Sequence, residues 1–110
     1  MTFKEYQEFA KKTAIYPREN HDNLLYPTLG LVSEAGEVAG KLKKIIRDDH
    51  WKIDEAKKQD LAKEIGDVLW YVAQLSTELE LSLEEIAQLN LKKLEDRYKR
   101  GQITGSGDNR

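Results

Sequence analysis

The chain has no cysteine, two prolines and one methionine in 110 residues. Without cysteine there is no disulfide, no thiol nucleophile and no thiolate-ligated zinc. It also lacks an excess of either charge: 18 basic and 20 acidic side chains give a net −2, interspersed with no basic block. Binding a phosphodiester backbone needs such a block, so no nucleic-acid partner is expected. No apolar run approaches the roughly 18 residues of a membrane span, and the opening MTFKEYQEF has no signal-peptide core. These absences lead to the expectation of a soluble, cytoplasmic protein with no membrane partner.

What is present is helical periodicity. Thr2-x-x-Glu5 is a capping box opening a first helix that runs toward Pro17. After the linker YPRENHDN, a second helix is predicted from about Asn23 to Asp48, with Pro27 near its first turn. A third follows DDHWKID, from about Asp54 to Glu80. The fourth starts at a second capping box, Ser82-x-x-Glu85, and ends at Gly101. No strand is predicted. Residues 1–101 read as one all-α domain, a bundle of four to five helices, and the glycine-rich QITGSGDNR of 102–110 as a flexible tail.

At 100° per residue, the second helix gathers Leu31, Val32, Ala35, Val38, Ala39, Leu42, Ile45 and Ile46 into one apolar face. Glu34, Glu37, Lys41 and Lys44 border it. On the third helix Leu61, Ile65, Val68, Val72, Leu75 and Leu79 are apolar, with Glu64, Asp67 and Tyr71 alongside. EAGE and EIGD thus match: two acids at i and i+3 on one helix face, with a glycine before the second. Antiparallel packing through the apolar faces would bring the four acids together. Two like charges 4 Å apart repel by about 4 kcal/mol at an effective dielectric near 20. A divalent cation reverses that sign, and hard carboxylate oxygens suit Mg²⁺, with Mn²⁺ as a substitute. Gly30, Gly36 and Gly40 each cost about 1 kcal/mol relative to alanine in a helix. Lacking a Cβ, they permit close approach of a neighbouring helix. Against this stands the ordinary alternative of a solvated acidic face, with Glu37 and Lys41 as a local i,i+4 pair.

On the fourth helix Asn90, Lys93 and Arg97 share a stripe, with Tyr98 and Arg100 following. Such cations suit a polyphosphate, or complement the helix dipole. Trp70 points away from the Leu61 and Val68 side and needs cover from the fourth helix, a ligand base or a second subunit. A di-iron carboxylate bundle would need Glu-x-x-His. His21 and His50 instead follow Arg18 and Arg47 by three positions, so that reading fails and both read as exposed loop residues.

GLVSEAGEVAGKLKKIIRDD, LAKEIGDVLWYVAQL and NLKKLEDRYKRG together resemble the MazG-like nucleoside triphosphate pyrophosphohydrolases over roughly residues 25 to 110. The resemblance implies an all-α fold completed by oligomerisation as a homodimer or homotetramer. It implies Mg²⁺-dependent cleavage of (d)NTP to (d)NMP and pyrophosphate, in nucleotide-pool house-cleaning. Its ExxE and ExxD pairs put Glu34, Glu37, Glu64 and Asp67 in the metal and catalytic roles. Tyr71 falls in the nucleotide pocket, and Asn90, Lys93, Arg97 and Tyr98 on the substrate side. A phosphoribosyl-ATP pyrophosphohydrolase-like enzyme and a non-enzymatic helical interaction module are the alternatives.

Overall fold

The computed structural model describes residues 1–17 and 23–110, which form four α-helices and, among the described residues, no strand. They are α1 (Phe3–Lys11), α2 (Leu25–Asp49), α3 (Glu55–Glu78) and α4 (Leu83–Lys99). The all-α expectation therefore holds. His21 and most of the predicted linker lie outside the described residues.

Short polar side chains set the starts of α1, α3 and α4, while α2 begins after Leu24 without a side-chain cap. Thr2 Oγ1 accepts the Glu5 amide at 3.1 Å, and Glu5 Oε1 accepts the Thr2 amide at 3.2 Å. Asp54 and Ser82 likewise accept from the amides of Lys57 (2.9 Å) and Glu85 (3.2 Å). The end of α2 is less usual. His50 and Trp51 take left-handed φ values of 49° and 68°, a turn normally given to glycine. His50 is thus an exposed C-cap.

The helices α2 and α3 lie antiparallel: Gly30 faces Tyr71, Lys41 faces Asp60 and Glu64, and Asp49 faces Lys57. This contact differs from the predicted one. Leu31, Val38, Leu42 and Ile45 turn toward α3, but Val32, Ala35 and Ala39 stay exposed, as does Ile65 on α3. The helix pair closes on the edge of the apolar face, because Gly30 admits the Tyr71 ring and Lys41 meets opposite charge. Only Gly30 fulfils the close-approach expectation: a Cβ there would lie 2.1 Å from the ring. Gly36, Gly40 and Gly66 face open space.

Across the other side of α3, α1 packs through Ala10 against Ala73 and Leu83, with Tyr6, Trp70 and Val72 around them. Trp70 is therefore covered by α1, donating its indole N–H to Thr13 Oγ1 at 2.8 Å. The Gln7 amide ties the α3–α4 turn, donating to Thr77 Oγ1 and the Leu81 carbonyl and accepting the Leu83 amide at 2.9 Å. Among the four helices α2 touches only α3, and α4 only α1 and α3.

Candidate metal and nucleotide site

Three carboxylates meet where α2 crosses α3. One oxygen each from Glu34, Glu64 and Asp67 lies within 4.8 Å of the others. The i,i+3 spacing brings Glu64 and Asp67 to one side of α3, and the antiparallel register sets Glu34 opposite them. Glu34 and Glu64 are half-buried and Asp67 is exposed. Burial holds the Glu34 carboxyl above its usual range, and the charges of Asp67, Glu64 and Glu37 push it further. Glu37 stands outside the group of three, exposed, yet close enough to act on Glu34.

This donor set fits a hard divalent cation: oxygen ligands only, clustered, mutually repelling and open on one side for water or phosphate oxygens. Among the described residues, the one cation in direct contact is Lys41. Its ammonium lies 2.6 Å from Glu64 Oε1 and 3.0 Å from Asp60 Oδ2. The expected local pair with Glu37 gives way to this cross-helix one, since α3 offers two carboxylates where Glu37 offers one.

An aromatic cluster borders the acids at the Gly30 end. Tyr71 packs edge-on against Trp70, with ring centres 4.9 Å apart, and tilts against Tyr26 at 6.4 Å. Tyr16 stacks parallel on Tyr26 at 5.1 Å and meets Trp70 edge-on, its hydroxyl donating to Glu78. Burial first, then Tyr26, Glu34 and Asp67, raise the Tyr71 phenol. Tyr6, on α1, is also raised, by burial and then the Asp67 charge, which puts it near the same acids.

The residues predicted on α4 are not brought to Glu34 within one chain, since α4 and α2 do not touch. Asn90 and Tyr98 are exposed. Lys93 and Arg97 are joined by the tail: Lys93 Nζ donates to Asp108 Oδ1 at 2.6 Å, and Arg97 to the Asp108 carbonyl. Arg97 is 6% exposed and its Nε has no partner. Arg110 fastens the same segment by donating to the carbonyls of Gln102, Ile103 and Gly107.

Sequence reasoning missed Tyr16, Tyr26, Asp60, Asp108 and the cross-helix role of Lys41. A signal existed for two of them. Tyr26, Gly30, Glu34 and Lys41 recur at i, i+4, i+8 and i+15, within about one-quarter of the helix circumference.

The MazG nucleotide pyrophosphohydrolase domain matches residues 20–101. The Gene 37 protein of Mycobacterium phage L5 is 50% identical over 109 residues, covering 96% of each chain. No solved structure matches.

Proposed function

Since this chain belongs to the MazG nucleotide pyrophosphohydrolase family, we propose that it hydrolyses (d)NTPs to (d)NMPs and pyrophosphate with Mg²⁺, as a cytoplasmic house-cleaning enzyme. The observation that carries this reading is the meeting of Glu34, Glu64 and Asp67 within 4.8 Å beside a cluster of four aromatic rings. Acids and rings together suit a ligand with a polyanionic end and a flat end. The catalytic unit is residues 1–101, acting as a homodimer or homotetramer, with 102–110 as its appended tail.

Bound at the three carboxylates, Mg²⁺ would neutralise and orient the triphosphate oxygens. Glu34, Glu64 and Asp67 would hold it. Glu37, just outside the group and exposed, is assigned as the base that takes the proton of the attacking water. Tyr71, backed by Trp70 and Tyr26, stacks on or walls the nucleoside, and Gly30 leaves room for the Tyr71 ring. Lys93 and Arg97, with Asn90 and Tyr98, join the phosphate side when a second chain carries its α4 to the acids and Asp108 gives way.

The direct test measures pyrophosphate and orthophosphate release from a panel of canonical and modified triphosphates with Mg²⁺. Pyrophosphate as the sole phosphorus product besides the monophosphate is expected. Asp67→Asn and Glu37→Gln should each lower kcat/KM by about 10² or more, the range of a lost charge-stabilising or proton-accepting group. Undiminished turnover in both variants would remove the site.

A further inference from the structure

The α2–α3 groove has a direction. Along α2, Tyr26 and Gly30 come first, Glu34 about 6 Å beyond Gly30, and Lys41 about 10 Å further, at 1.5 Å per residue. Opposite them on α3 stand Tyr71, then Asp67 and Glu64, then Asp60. The rings and the ammonium therefore flank the carboxylates from opposite ends. A triphosphate whose α-phosphorus lies at the carboxylates must extend its β and γ groups toward one end or the other. Among the described residues the ring end offers the edges and faces of four aromatics and no cation, whereas the other end offers Lys41.

Lys41 is placed for exchange. Its ammonium has three donors, of which two meet Glu64 and Asp60, and its side chain keeps 28% exposure. In the metal-free chain it offsets part of the negative charge at the crossing of the helices. A divalent cation on Glu64 would take over that task, leaving the ammonium to pair with an incoming anion. Among the described residues of one chain no other cation is so placed. Lys93 and Arg97 are engaged by Asp108, on a helix that does not touch α2.

We propose that Lys41 binds the β,γ end of the triphosphate and holds the departing pyrophosphate, so that the nucleotide lies with its base toward Tyr26 and Tyr71. This rests on the pyrophosphohydrolase reading above and adds to it the orientation of the substrate and a binding residue. In-line attack forms the bond from the water oxygen to the α-phosphorus and breaks the bond to the α,β-bridging oxygen. The electron pair of the broken bond leaves with pyrophosphate, beside Lys41. The water proton goes to the carboxylate base.

The test compares the full-length chain with Lys41→Met, which keeps the length and removes the charge, and Lys41→Arg, which restores it. Inhibition constants are measured for pyrophosphate and for the monophosphate of the best substrate, with Mg²⁺ present. Loss of pyrophosphate affinity by roughly ten- to a hundredfold in Lys41→Met is expected, the range for a hydrogen bond to a charged group. Monophosphate affinity should stay unchanged and Lys41→Arg should recover most of the loss. Unchanged pyrophosphate affinity in Lys41→Met, with only the melting temperature or Mg²⁺ affinity altered, would overturn the assignment and leave Lys41 as an internal counterion. A footprint on the unmodified protein is independent of folding in the variants. Mg²⁺ with pyrophosphate should shield Lys41 from an amine-acylating reagent, and Mg²⁺ with monophosphate should not; equal labelling in both overturns the proposal. A wild-type chain that releases pyrophosphate from no triphosphate would instead sink the parent reading.

Discussion

Glu34 carries the electrostatic strain of the site, and its protonation should be visible in the stability of the protein. Burial and the charges of Asp67, Glu64 and Glu37 raise its folded-state pKa above the ordinary 4.5. A raised folded-state pKa means that the folded form binds the proton more tightly. The resulting stabilisation is complete below pH 4.5 and is lost as pH rises through the raised value. Mg²⁺ competes with that proton, so its affinity should increase over the same interval. In melts between pH 4 and 8, the metal-free chain should lose this contribution on going up, while the Mg²⁺-induced rise in midpoint grows. At a hundredfold excess over Kd the linkage is worth about 2.7 kcal/mol, or ~10 °C and more for a domain of about 100 residues. Glu34→Gln should flatten both trends. A Mg²⁺ effect independent of pH, or absent at neutral pH, would contradict the assignment of Glu34 as a ligand. The acids themselves were legible because i,i+3 spacing is a local property of a helix. Lys41 was half legible: its stripe could be counted, but Glu64 and Asp60 as its partners depend on the register between two helices. Tyr26 shares that stripe and was legible to the same extent, whereas Tyr16 was not, since no spacing relates the segment after one helix to the start of the next.

At the scale of elements, α4 and the segment after it form one unit. Gly101, Gly105 and Gly107 take φ values of 67°, 117° and 85°, turns that reverse the chain along α4. Arg110 then grips three backbone carbonyls, and Asp108 arrives at Lys93 and Arg97. Lys93 first, then Arg97, hold the Asp108 carboxyl below its ordinary range. The sequence marks this segment as glycine-rich and polar, which equally describes an unattached tail; what attaches it is an ionic contact with residues 11 to 15 positions earlier. A carboxylate on two cations assigned to phosphate stands where an anionic substrate would pair. Asp108→Asn should therefore lower KM for the triphosphate severalfold with kcat little changed, because substrate no longer displaces an anion. Steady-state kinetics at low and physiological salt would check this, and the gain should shrink as salt screens the cations. A higher KM in Asp108→Asn would mean that the carboxylate arranges Lys93 and Arg97 for phosphate.

The whole molecule is more open than its length requires. Its radius of gyration is 17.0 Å, against about 13 Å for a compact domain of this size. Among the described residues the buried apolar core is limited to Ala10, Ile45, Ala73 and Leu83, two of them alanines. Meanwhile Leu29, Val32, Ile65 and Leu89 are each more than half exposed. Helical periodicity assigned two of these positions, Val32 and Ile65, to the contact between the second and third helices. The single chain satisfies that contact with Gly30, Glu34, Lys41 and only part of the apolar face. The unused part of α2, from Leu29 through Val32 to Ala39, is too apolar for a helix meant to face water alone. Covering it with a second copy would bury a continuous strip and would give α2 the neighbours it lacks in one chain. Sedimentation equilibrium should therefore find a dimer or tetramer at micromolar concentration. Val32→Asp should shift the population to monomer, with a lower and concentration-independent melting midpoint. If the phosphate-side residues of α4 come from another chain, the same substitution should abolish pyrophosphate release, although Val32 is outside the carboxylate group. A monomeric wild type with full activity would instead require every functional group of the site to come from one chain, leaving Lys93 and Arg97 to their pairing with Asp108.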